Sequence, residues 1–187
     1  MPKVLILVGD GVEAQEIFYP YYRLKEEDID IDVVVPEKKK DFIFTVVHDF
    51  EPGWETYTEK FGYRFPWVTK GFGEINPRDY DGLIIPGGRA PEWIRLHPKC
   101  REIVKHFFEK KKPIAAICHG PLVLIGTCPE YLKGKKMTAY IAVKPDIEGV
   151  GAKYEDKEVV VDGNLITSRA WPDLPAFMRE FLKLLRK

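Results

Sequence analysis

The sequence predicts an α/β protein, a mainly parallel sheet with helices on both faces. Three observations carry this. Uninterrupted apolar runs recur at Val4–Val8, Leu83–Ile85 and Ile114–Ile117, as strands buried on both faces require. Between them lie stretches whose apolar residues recur at helical spacing. Each run also ends in a glycine-bearing loop: Gly9-Asp10-Gly11, Pro86-Gly87-Gly88 and Cys118-His119-Gly120. These are the carboxyl ends of strands, where ligands gather in open α/β sheets.

The elements follow in order. After the Val4–Val8 strand, a helix is expected over about 13–26, with Ile17, Tyr21 and Leu24 on one face and Pro20 kinking or breaking it. Residues 29–35 alternate and then turn fully apolar, giving a second strand and a right-handed βαβ unit. Residues 38–74 differ, being rich in aromatics and turn formers. Short strands or a hairpin at the sheet edge are expected there, with an irregular loop holding Trp54 and Tyr57. This segment is either a flap over the core or the rim of a pocket or subunit contact. Tyr80–Ile85 is the next strand, and 98–112 an amphipathic helix with Ile103, Val104 and Phe107 inward. The Ile114–Ile117 strand and a helix from about Leu122 to Gly126 follow. Lys136–Tyr140 reads as a strand followed by a loop through Pro145. A hairpin pairs 158–161 with 165–167 through Asp162-Gly163-Asn164. A last helix covers about 172–186. The expected organisation is one domain, 1–187, with an aromatic-rich insertion at about 38–74.

Bulk properties exclude several functions. Lysine plus arginine (29) balances aspartate plus glutamate (29), so no overall field draws the chain to nucleic acid or an anionic membrane. No apolar run reaches the roughly 18 residues of a membrane span. Cys100, Cys118 and Cys128 show no metal-ligand spacing. With Met1-Pro-Lys leading straight into a strand, the expected setting is the reducing cytoplasm.

The chemistry concentrates at Ile114-Ala-Ala-Ile-Cys118-His119-Gly-Pro121. A buried strand that turns through glycine into a proline-started helix lifts one side chain out of the sheet, as in a nucleophile elbow. A cysteine there faces a helix N-terminus, which favours the thiolate. The loops after neighbouring strands converge on it. Gly87 and Gly88 can turn backbone N–H groups toward an oxyanion. Glu13 is read either as a first-turn carboxylate complementing the helix dipole or as a protonated acid that hydrogen-bonds the thiolate. His119 is available as base or acid, or as an orienting neighbour, because adjacent residues at an elbow diverge. Cys128 is read as structural.

These motifs resemble the ThiJ/PfpI superfamily, which includes PfpI-type intracellular proteases and the parkinsonism-associated deglycase. The resemblance spans essentially the whole chain. Its most specific pieces are Ala116-Ile-Cys118-His119-Gly-Pro121, Ile85-Pro-Gly87-Gly88-Arg89-Ala-Pro-Glu92 and Tyr19-Pro-Tyr-Tyr-Arg-Leu-Lys-Glu26. It implies a flavodoxin-like three-layer sandwich related to class I glutamine amidotransferases. It also implies Cys118 as nucleophile, Glu13 as its acid, His119 as its companion, and the amides of Gly88 and His119 as oxyanion donors. Glu92 matches the glutamate that a neighbouring subunit contributes to a Cys-His-Glu triad in PfpI-type proteases, and Tyr140 a tyrosine near the nucleophile. Relatives are dimers, trimers or hexamers, so a homo-oligomer is expected, with Trp54, Trp67 and Trp93 suited to its contacts.

The segment Thr45-Val-Val-His48-Asp49-Phe50 with Tyr57-Thr-Glu-Lys60 is similar to plant-type glyoxalase members, which adds His48 to the residues about the substrate. The favoured expectation is a glutathione-independent glyoxalase or deglycase, converting methylglyoxal to lactate without metal or other cofactor. The alternatives are an intracellular cysteine peptidase using Cys118, His119 and Glu92, and a non-catalytic thiol stress sensor or chaperone in which Cys118 oxidises reversibly.

Overall fold

A computed structural model describes residues 1–186. In chain order its elements are β1 (Lys3–Leu7), β2 (Val12–Glu13), α1 (Ala14–Lys25), β3 (Asp30–Val35), β4 (Ile43–Asp49), β5 (Thr58–Phe65) and β6 (Lys70–Gly71). There follow β7 (Gly82–Ile85), α2 (Ala90–Ile94), α3 (Pro98–Glu109), β8 (Ile114–Ile117) and α4 (Pro121–Thr127). The chain closes with β9 (Lys136–Met137), α5 (Lys144–Gly149), β10 (Lys153–Tyr154), β11 (Val160–Asp162), β12 (Leu165–Ser168) and α6 (Leu174–Leu185).

The main sheet runs β11-β12-β8-β7-β1-β3-β6. Every pairing in it is parallel except β11 with β12, the expected hairpin. Side chains alternate across β1 and sort into two cores. Leu5 and Leu7 join Leu83, Ile85 and the apolar faces of α3 and α4. Val4 and Ile6 join Ile84, Ile117 and the faces of α1 and α6. Helices therefore cover both faces, as the continuous apolar strands foretold. Each fully buried Leu, Ile or Phe contributes roughly 1.5–3 kcal/mol, and Phe107, Phe177 and Phe181 are among the largest so buried.

Four departures from expectation have local causes. The segment 38–74 supplies the expected short strand at the main sheet's edge, β6 on β3, but its hairpin lies outside that sheet. Strands β4 and β5 pair antiparallel, and β4 pairs in parallel with the two-residue β2, making a separate three-stranded sheet. Of the kink or break expected at Pro20, the break does not occur: the proline lies inside α1. The helix persists because Ile17, Pro20 and Leu24 all bury the same side, and packing outweighs the lost N–H bond. The strand expected at 136–140 stops at Met137; Tyr140 lies in a loop, its N–H bonded to the carbonyl of Cys118 (3.1 Å). The loop expected through Pro145 is instead α5, started by that proline in its first turn.

Candidate active site

Cys118 stands where β8 ends and α4 is about to begin. Its φ is +60°, a left-handed conformation that side-chain-bearing residues rarely hold. The neighbouring backbone fixes it: Cys118 donates its N–H to Ser168 (3.1 Å), and Gly120 donates to Ile117 (2.7 Å). The thiol is buried, at 2% exposure. Its sulfur lies 3.3 Å from His119 Nδ1, so the adjacent histidine does reach back to it. Backbone N–H groups of Gly88 and His119 also point at the sulfur.

Two segments of the chain meet around that sulfur. Gly88 adopts φ +74°, which turns its amide toward the thiol, and the loop is held by Arg89 N–H on Gly11 (2.8 Å). Gly87 is pressed so closely that an added Cβ would sit 2.5 Å from Glu16 Oε2, 2.6 Å from Cys118 Cβ and 3.0 Å from its sulfur. Only glycine fits there.

The acid beside the thiol is Glu16, not Glu13. Glu16 is fully buried; its Oε2 accepts the Gly87 N–H (2.8 Å), and its carboxyl meets Cys118. Oε1 has no hydrogen-bond partner among the described residues, which suits a carboxyl that keeps its proton. Burial, with the nearby Glu13 charge, pushes its pKa up to about 8. Glu13 is equally buried but faces the hairpin: it accepts N–H groups from His48 (2.9 Å) and Gln15 (3.3 Å). The reason lies in the backbone. Glu13 is still extended, paired in β2 with Val46, whereas Glu16 is in the first helical turn, on the inward stripe with Ile17, Pro20 and Leu24. That stripe was the available sequence signal for Glu16.

Burial pushes the Cys118 thiol up, and the Gly88 and His119 amides oppose it. The buried thiol and Glu16 cannot both carry charge, so they hold a proton between them. Burial and His48 lower His119 to about 4, leaving a neutral imidazole that is a weak base at neutral pH.

The hairpin supplies the facing wall. His48, 3% exposed, bonds Glu59 through Nε2 (2.9 Å), and Glu59 accepts from Arg89 Nε (2.8 Å). Tyr140 packs its ring 5.1 Å from that of His119. Tyr57, not expected in the site, stands among His48, His119 and Tyr140. Glu92 is the outlier. It is exposed on α2, and its carboxylate makes no hydrogen bond or ion pair among the described residues, so no Cys118–His119–Glu92 triad forms within the chain. Trp54 and Trp93 are exposed (66% and 69%), but Trp67 stacks on Tyr21 at 4.7 Å.

Residues 2–184 match the DJ-1/PfpI family. The chain belongs to that family. It is 44% identical over 184 residues to "Deglycase TK1284" of Thermococcus kodakarensis, covering 98% of this chain and 99% of that one. It is 42% identical, with 98% of each chain covered, to YraA of Bacillus subtilis, whose name marks a candidate cysteine protease. Among solved structures, Schizosaccharomyces pombe DJ-1 is similar at a TM-score of 0.77 and 28% identity, over 97% of this chain and 90% of that one. These relatives support an enzymatic role for this DJ-1/PfpI chain and its α/β sandwich. No helix among the described residues is long and apolar enough to cross a membrane.

Proposed function

We propose that the chain is a cysteine-nucleophile enzyme acting on reactive carbonyl compounds, as a deglycase and glutathione-independent glyoxalase. The observation that carries this is the thiol on a left-handed elbow, against a buried carboxyl and between two backbone amides. Glu16 takes over the role expected of Glu13. In methylglyoxal turnover the Cys118 sulfur bonds to the aldehyde carbon as the C=O π bond breaks. The oxygen takes the proton that Glu16 and the thiol share and is held by the amides of Gly88 and His119. Glu16, now a carboxylate, then removes the proton from that carbon and returns one to the neighbouring carbon through an enediol, with His119 as the second candidate for this transfer. Water hydrolyses the resulting thioester to lactate and free thiol.

D-lactate release from methylglyoxal, by wild type and by Cys118→Ala, tests this. Turnover lost with the thiol is expected; a wild-type protein that makes no lactate and removes no glycation adduct sinks the reading. The peptidase alternative draws on the exposed Glu92, whose carboxylate has no partner among the described residues and is available to a second subunit of a homo-oligomer. It predicts fluorogenic-peptide cleavage lost in both Cys118→Ala and Glu92→Ala.

A further inference from the structure

The residues around Cys118 described so far leave the hairpin side of the site without a chemical role, yet that side is built with care. Tyr57 ends an irregular loop whose other members, Pro52 to Thr56, are exposed, while it is itself half-buried. Its ring lies 4.3 Å from His48, 5.5 Å from Tyr140 and 5.9 Å from His119, centroid to centroid. His48 is fixed from two sides. Its backbone N–H donates to Glu13 (2.9 Å) and its ring Nε2 bonds Glu59 (2.9 Å). Glu59 is tied in turn to Arg89 (2.8 Å), the residue after the Gly88 amide. Glu13, Glu59 and Arg89 therefore lock the platform on which Tyr57 rests to the same turn that faces the thiol. A packing role alone would need neither the buried histidine nor the ion pair behind it.

We propose that Tyr57 is a substrate-contacting residue, whose hydroxyl hydrogen-bonds the oxygen of a carbonyl compound added to Cys118, with His48 as its positioning residue. This rests on the carbonyl-compound reading. Burial and the nearby thiol raise the phenol's pKa, so at neutral pH it is an O–H donor. It comes from the hairpin loop, whereas the two backbone amides belong to the Gly87-Gly88 turn and the Cys118 elbow. An oxygen bonded to the carbon on sulfur would then have donors from both walls.

The probe is methylglyoxal, and the readout is its protection of Cys118 from iodoacetamide, which needs no turnover. In Tyr57→Phe the ring platform stays and only the hydroxyl goes. The methylglyoxal concentration for half-protection is expected to rise about tenfold, the loss of one hydrogen bond, with the alkylation rate in its absence and the urea midpoint unchanged. In His48→Gln the same rise is expected, and the double variant should be no worse than Tyr57→Phe, because the two act through one contact. Equal protection of wild type and Tyr57→Phe overturns the assignment of Tyr57 and leaves the carbonyl reading standing. Additive effects overturn the positioning role of His48. Methylglyoxal that fails to protect even wild type brings down the carbonyl reading, and the role of Tyr57 with it.

Discussion

Two carboxylates with little solvent exposure, Glu16 beside the thiol and Asp32 on β3, have opposite chemistry. Asp32 is 6% exposed and receives Lys3 Nζ (2.8 Å), Lys70 Nζ (2.9 Å) and the Tyr80 hydroxyl (2.8 Å). Burial opposes its charge, but these donors win and hold it well below the usual carboxylate range. Glu16 lies deeper, with the Gly87 amide and the Cys118 thiol as partners and no cation beside it among the described residues, so burial wins and lifts it to about 8. Low exposure alone does not decide protonation; depth and partners together do. A carboxyl surrounded by cations pins three strands, whereas one denied them becomes a proton store beside a nucleophile.

The contrast breaks first at the nucleophile. Cys118→Ala should cut kcat/KM by about 10³-fold or more while leaving the fold intact, checked by lactate assay and circular dichroism. Next comes Gly87→Ala. Its methyl would overlap both the Glu16 carboxyl and Cys118, so activity should fall about 10²-fold or more and stability by about 1–3 kcal/mol, read from urea melts.

Glu16→Gln sharpens the comparison through pH. A carboxyl whose folded pKa lies above its ordinary 4.5 costs the fold nothing at low pH, and an increasing amount as pH rises from about 4.5 to about 8. Wild-type stability should therefore drop across that window, by about 3 kcal/mol at pH 7, while Glu16→Gln stays flat and loses activity. A wild-type curve as flat as the variant's would refute the protonated carboxyl. For Asp32 the sign reverses: its contribution is present above its ordinary 3.8 and is lost only as pH falls below that. Asp32→Asn, the smallest effect, should cost about 2 kcal/mol at pH 7 with unchanged kcat/KM.

The sheet was legible because buried parallel strands write themselves as apolar runs, and the Cys118 elbow because glycine and proline punctuate it. What the sequence hid were differences of a few residues in backbone state. Glu13 and Glu16 both look like first-turn acids. Only the two-residue pairing of Val12–Glu13 with β4 turns one toward the hairpin and leaves the other to the thiol. Tyr140 was read as the end of a strand, since Lys136–Tyr140 shows no turn former before it. It is a bond to the Cys118 carbonyl, a tertiary fact, that bends it to the site. Tyr57 was legible only as a member of a loop that could be a flap or a pocket rim: its neighbours are distant in sequence, and nothing local marks a loop tyrosine as inward.

The left-handed backbone at Cys118 has a practical corollary for directed evolution. Glycine is the residue that adopts φ +60° without steric penalty, and a side chain there gives up about 1 kcal/mol. A library ranked by heat tolerance alone would thus drift toward glycine at this codon and toward neutral residues at Glu16. Its winners would be sturdier and inert, so any screen for robustness here has to carry a count of reactive thiols alongside the melting curve.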